Sequence, residues 1–263
     1  MSNRAPIALG LWLCACTGVD GPHTGETDVD DSDQPEGFSV SGTVVDLDGE
    51  PVENLFVTVS TEFCIPDRTD PEGSFTVASV SPGPKRLITY GETVEGGTYA
   101  SVVFPFEAEA AVELASPVLA PVMALVPFDP EVVGLQSIHT ADGLRLDVEP
   151  TSITFAPFAD PVVLAARVPV ADAPPFVPDG LNLVDLFVLH PIQSTIAPSA
   201  SIAFPADTGL SPGTAVNFHT LDYETGLLTL AASGSVNADG VPESAPGQGI
   251  SELTWVALSV AES

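Results

Sequence analysis

The chain has 263 residues, with 6 Lys and Arg set against 36 Asp and Glu, a formal charge of -30. A field of that sign repels nucleic acid and a bare anionic membrane face before any specific contact forms, so neither is an expected partner. Only 16% of residues are charged and 44% are hydrophobic, so the imbalance reflects a scarcity of cations in a core-forming chain and not a disordered acidic polymer. The 26 Pro and 22 Gly, scattered among Val, Thr and Ala, favour short strands joined by turns and predict an all-β protein.

Residues 1–15 read as an export signal in which Arg4 precedes the apolar run Ile7 to Leu13, far short of the roughly 20 residues that cross a bilayer as a helix. The following Leu13-Cys14-Ala15-Cys16 resembles the lipobox of bacterial lipoproteins, with Leu three residues before an invariant Cys and a small residue directly before it. The resemblance implies that Cys16 is diacylglycerylated and, after cleavage by signal peptidase II, becomes the first residue of the mature chain. The other readings of Cys14 and Cys16 are small apolar signal residues or a Cys-x-Cys metal pair, which has no His-rich or Cys-rich partner motif. With Cys14 removed and Cys16 acylated, only Cys64 remains, so no internal disulfide is expected. Each buried acyl methylene contributes about 0.8 kcal/mol, and two chains anchor a protein without a spanning segment. Thr17 rather than Asp follows Cys16, which by analogy with enterobacterial sorting implies the outer membrane.

Residues 16–37 form an acidic, solvated and disordered tether carrying Asp28, Asp30, Asp31, Asp33 and Glu36. The Asp28 to Asp33 run also suggests oxygen ligands for Ca²⁺, but it lacks the Gly at the sixth and the Glu at the twelfth position of an EF-hand loop.

Residues 38–127 predict a first β-sandwich. Phe38, Val40 and Val44 share a face in a strand over 38–46, where Gly42 breaks the pattern as a bulge would. Asp48-Gly49 marks a turn, 55–59 a strand, Asp70-Pro71-Glu72-Gly73 a turn, and 74–77 and 86–90 further strands. Asp70 and Thr69 are suited to capping a tight turn, Gly73 to a positive φ, and Phe75 to the core. The pieces Val40-Ser41-Gly42-Thr43-Val44, Gly49-Glu50-Pro51, Thr69 to Phe75 and Pro82-Gly83 resemble the carboxypeptidase regulatory-like domain, a transthyretin-like sandwich. The resemblance covers about fifty residues well and continues loosely to Val126. It implies a folding or spacer module, in a superfamily with carbohydrate-binding relatives, that is not itself a peptidase. The insert Thr61 to Arg68, with Cys64 and Pro66, departs from the family pattern. Asp46, Asp48 and Glu50 suit either a cation or a charged hairpin turn.

Residues 128–263 predict a second sandwich, with strands over 143–148, 152–155, 162–168, 183–190, 200–204, 215–221, 227–232 and 253–260. The proline-dense stretch 172–178 is expected to cross between sheets or to run along an edge. Ser201 to Pro205, Gly209-Leu210-Ser211-Pro212-Gly213-Thr214, Tyr223-Glu224-Thr225-Gly226, Gly234 to Gly240 and Gly249-Ile250 with Trp255 are similar in order to ZU5-like modules of bacterial surface proteins. Leu253-Thr254-Trp255 does not match the self-cleaving step of some members, so autoproteolysis is not expected.

His23, His139, His190 and His219 form no His-Glu-x-x-His pair, and no nucleophile elbow or phosphate loop occurs, so no metal and no cofactor are expected. Asp142, Asp147, Glu149, Asp222 and Glu224 are candidates for a glycosidase-like carboxylate pair, although each also suits a solvated turn. Tyr90, Tyr99, Tyr223 and Trp255 are candidate ligand-facing aromatics, with core packing as the competing role. The expected function is a lipid-anchored, non-enzymatic structural or interaction module of the bacterial cell envelope. A carbohydrate-binding envelope protein and a carboxylate-pair hydrolase are the alternatives. Its expected partners are the membrane, through lipid, and an envelope glycan or protein.

Overall fold

The computed structural model describes residues 37–261 except 61–63, 92, 95–96, 115–117, 158, 179 and 224. Cys16 and the acidic tether therefore lie outside the described residues. Within them the chain is all-β, interrupted by three single-turn 3₁₀ segments. No helix among the described residues is long and apolar enough to cross a membrane.

The N-terminal strands are β1 (Phe38–Val45), β2 (Phe56–Ser60), β3 (Cys64–Arg68), β4 (Ser74–Val80), β5 (Gly83–Thr89), β6 (Thr93–Val94), β7 (Gly97–Thr98), β8 (Val102–Ala108), β9 (Val112–Glu113) and β10 (Val118–Leu119). They form one sheet in the order β10-β1-β4, with β9 also on β1, a second in the order β3-β2-β5-β8, and a two-stranded ribbon of β6 and β7. The inward residues of both, among them Val40, Val44, Val57, Val59, Phe75 and Leu87, fill a common core. The irregular step in β1 falls between Phe38 and Val40 and not at Gly42, which pairs in register with Phe75. A Cβ on Gly42 would meet the Phe75 ring at 3.0 Å, so the glycine makes room for that ring instead of bending the strand. Cys64–Arg68 supplies edge strand β3, where Pro66 can sit because one side of an edge strand needs no ladder donor.

The C-terminal strands are β11 (Ala124–Val126), β12 (Gln136–His139), β13 (Arg145–Val148), β14 (Ile153–Thr154), β15 (Val163–Val168), β16 (Leu183–His190), β17 (Ser194–Ala203), β18 (Ala215–Asp222), β19 (Leu227–Val236), β20 (Pro242–Ser244), β21 (Ile250–Leu253) and β22 (Trp255–Val260). They run in the order β11-β15-β16-β22-β18-β19-β20-β17-β13-β12, with β14 and β21 also on β17. Ala124–Val126, on the N-terminal side of the 127/128 division, hydrogen-bonds to β15 and so lies in this second sheet. Long strand β17 contains Pro198, and its pairing with β21 is interrupted between Thr195 and Ala200, where the proline cannot donate.

One face of β15, β16, β22 and β18 packs on the unit's own core through Phe187, Leu189, Val256 and Leu258. The opposite face, through Leu186, Val188, Trp255 and Ala257, belongs to the same core as the N-terminal sandwich. Leu186 to Leu189 and Trp255 to Leu258 are consequently all fully buried. An antiparallel sheet commonly leaves one face wet; here both faces are covered, and the strands read as continuous apolar runs. The proline-dense stretch crosses this outer face, where it inserts Phe176 edge-on against Trp255 with ring centroids 5.2 Å apart.

Candidate functional site

The four singled-out aromatics divide by burial. Trp255 is completely buried, and Tyr223 and Tyr99 keep only 7% and 6% of their surface, so none of the three presents a ring face to a ligand. The carbonyl of Ser101 accepts from Trp255 Nε1 at 2.8 Å and from the Tyr223 hydroxyl at 3.1 Å, which joins β22 and the end of β18 to the residue just before β8. Buried polar groups of this kind are satisfied because an unpaired one costs about 1–3 kcal/mol. Burial pushes the Tyr223 phenol upward, aided by the charge of Glu252. Burial, then the charge of Asp46, does the same at Tyr99. Tyr90 is half-buried, its ring 5.4 Å from that of Phe56.

The candidate carboxylates are engaged locally. Asp147 accepts from the Ser137 hydroxyl and lies 3.3 Å from Arg145 Nε. Asp222 accepts from the Thr225 amide at 3.3 Å. Asp142 and Glu149 are exposed, the former in the turn between β12 and β13, and Glu224 lies outside the described residues. In sheet order β13 and β18 are separated by β17, β20 and β19, so Asp147 and Asp222 are not neighbours in the sheet. The Asp46 carboxylate accepts from the amides of Asp48 and Glu50 at 2.9 and 3.0 Å, the geometry of a charged hairpin turn. Among the described residues no group of three or more His, Cys, Asp or Glu could hold a metal ion.

A charge cluster around one buried acid was not singled out from the sequence. Arg167 on β15 donates from Nε and Nη2 to both oxygens of Asp185 on β16, at 3.0 and 2.9 Å, and from Nη1 and Nη2 to Asp207 at 2.9 Å. Asp185 is 3% exposed. Burial pushes its carboxyl above the ordinary range, against the pull of Arg167. The Arg167 hydrogen bonds hold the open Asp207 below that range. The available signal was one acid inside the apolar run 183–187. The two described histidines with shifted behaviour are also structural. His190 at the end of β16 is lowered to about 4 by burial, and its Nδ1 has no partner. His219, also lowered by burial, shares a 2.9 Å hydrogen bond with the buried Ser259 hydroxyl.

A cleft of about 770 Å³ lies where the end of the β2-β5-β8 sheet meets the β18–β19 hairpin. Its walls include Ser60, Pro84, Lys85, Phe106 and Glu107 on one side and Thr225 on the other. Arg86, beside Lys85, crosses to the second sheet and donates to the Tyr223 carbonyl at 2.6 Å. The sequence held a signal for this site that motif reading passes over: Lys85 is the single lysine of the chain, and Lys85-Arg86 is its one pair of adjacent cations.

No family model matches the chain, and no curated protein matches it. Among solved structures, a "putative carbohydrate binding protein" from Bacteroides uniformis is 9% identical, over 86% of this chain and 80% of its own, with a TM-score of 0.23. The TIE protein of Bacillus anthracis is 12% identical, over 86% of this chain and 49% of its own, with a TM-score of 0.27, so this chain spans about half of its length. At these TM-scores the two likenesses assign no function.

Proposed function

We propose that the protein is a lipid-anchored module of the bacterial cell envelope that acts by binding and display and not by catalysis. The observation that carries this reading is the shared core. Ser101, Tyr223, Trp255 and Phe176 weld the N-terminal sandwich to the outer face of the C-terminal sheet, giving a stiff body suited to holding a surface at a distance from a membrane. The non-enzymatic reading is supported by the use of the shifted titratable groups: Asp185 and Asp207 clamp Arg167, Tyr223 is buried, and His219 is bonded to the buried Ser259 hydroxyl. Anchoring is supported by Leu13-Cys14-Ala15-Cys16 and by the lysine-free, arginine-free stretch that follows it. Growth of an expressing bacterium with labelled palmitate tests the anchor. The wild-type chain takes up label and fractionates with the outer membrane, and Cys16→Ala takes up none. Equal labelling of the two refutes it.

A further inference from the structure

Edge strands are commonly blunted by proline, by charge or by brevity, because their unpaired N–H and C=O groups are a template for pairing with another chain. Strand β3 carries Pro66, Asp67 and Arg68, β8 carries Pro105 and Glu107, and β11 and β12 have three and four residues. Strand β19 has none of these devices. Over its ten residues, Leu227 to Val236, it holds no proline and no charge. One side is paired with β18 along its length. On the other side β20 pairs only with Gly234 to Val236, while the Ser233 carbonyl accepts from the Ala245 amide at 2.9 Å and the Ser233 amide donates to Gln248 Oε1 at 2.8 Å. No strand among the described residues pairs there with Leu227 to Ala232.

The extra residue Ala231, opposite the step from Phe218 to His219, is a bulge that ends the regular run and leaves Leu227 to Leu230 as the open edge. Leu228 packs on the shared core, whereas Leu230, two residues on and on the same face, is 60% exposed. A strand laid along this edge gains backbone hydrogen bonds and extends the apolar face over Leu230. The charge of the chain restricts what that strand is. A second copy brings the same -30, and Asp222, opposite Leu227, stands at the turn end of the edge. The occupant that fits both the neutral edge and its acidic setting is a strand from a different protein, uncharged where it pairs and cationic at its ends.

We propose that the open edge of β19, Leu227 to Leu230, is a strand-addition site for an extended segment of a basic partner protein. The assignment rests on the reading of the chain as a binding module, names the kind of partner, and is independent of how the chain is anchored. Fluorescence anisotropy with the full-length protein in detergent tests it. The probes are labelled Lys-Lys-Val-Thr-Val-Thr-Val-Lys, the same peptide N-methylated at every Val and Thr, and a counterpart with Glu for Lys. The unmodified lysine peptide binds most tightly, and N-methylation, which keeps charge and side chains but removes backbone donors, weakens it about tenfold or more. Leu230→Lys weakens it about tenfold, whereas Val133→Lys, which adds the same charge at a residue 94% exposed, leaves it unchanged. Urea midpoints matching the wild type show that the variants are folded. The proposal is overturned if the N-methylated or the Glu peptide binds as tightly, or if sedimentation of the peptide-free protein gives a dimer that Leu230→Lys dissolves, since the occupant is then a second copy. Equal binding of the lysine peptide to wild type and Leu230→Lys refutes this edge while leaving the chain a binding module, so the two readings fail separately.

Discussion

At the scale of single residues, the informative groups are those buried with a charge or without a partner. Removing Arg167 leaves the Asp185 carboxylate buried and uncompensated, so Arg167→Met lowers unfolding stability by about 3 kcal/mol or more. Asp207 is largely exposed, and Asp207→Asn lowers stability by less than about 1 kcal/mol. Replacing Arg167 and Asp185 together by Met and Leu recovers most of the loss, because no charge remains to be desolvated. Urea unfolding of the three variants checks the order, and an Arg167→Met midpoint equal to wild type contradicts it. His190 gives a pH dependence of definite sign. Its folded value of about 4 lies below the ordinary 6.5, so the unfolded chain takes up the proton first. The stability that comes from keeping it neutral is complete above pH 6.5, declines as pH falls, and is gone below about 4. The decline is on the order of 3 kcal/mol. His219, shifted in the same direction, adds to the slope. In His190→Gln the urea midpoint changes less between pH 7 and 4 than in the wild type; an identical slope removes His190 from the account.

At the scale of elements, turns and strands were largely legible because their determinants are local. Asp70 Oδ1 accepts from the amides of Glu72 and Ser74, and Gly73 has φ 73°, as the Asp-Pro-Glu-Gly sequence predicts. A Cβ on Gly73 would lie 2.5 Å from the Val44 carbonyl oxygen, so both conformation and space require glycine. Strand β16 was read with its full bounds, 183–190, and the bounds of β18 differ by one residue. Strands β3 and β12 were not read. Cys64 to Arg68 contains a proline, and Gln136 to His139 is short and has Ile138 as its single apolar residue, so both are held by partner strands rather than by propensity. The crossing of residues 172–178 was legible as a crossing, but the destination of Phe176 was not. Truncating that ring opens a void against Trp255, and Phe176→Ala lowers stability by about 3–5 kcal/mol. The accompanying sign is a red-shifted Trp255 emission in the folded protein. Unchanged emission and stability together exclude the packing described.

At the scale of the whole molecule, the shared core makes one cooperative unit of what the strand spacing presents as two sandwiches in series. Calorimetry of the protein shows a single transition with equal calorimetric and van't Hoff enthalpies, and Trp255→Ala, which removes the wedge between the units, separates it into two. Two resolved transitions in the wild type contradict the coupling.

Composition alone was enough for the all-β class, because hydrophobic fraction and turn residues act wherever they fall in the chain. Side-chain periodicity likewise told which strand residues face inward. It could not tell that the outward face of β16 and β22 is also covered, although two runs of four consecutive apolar residues were the trace of it. The fate of Tyr99, Tyr223 and Trp255 turned on contacts such as Trp255 to Ser101, which are 154 residues apart. The same docking sets the 770 Å³ cleft beside Lys85. Such pairings depend on which sheet meets which, and that is decided only when long-range burial overcomes the entropy of closing the intervening chain.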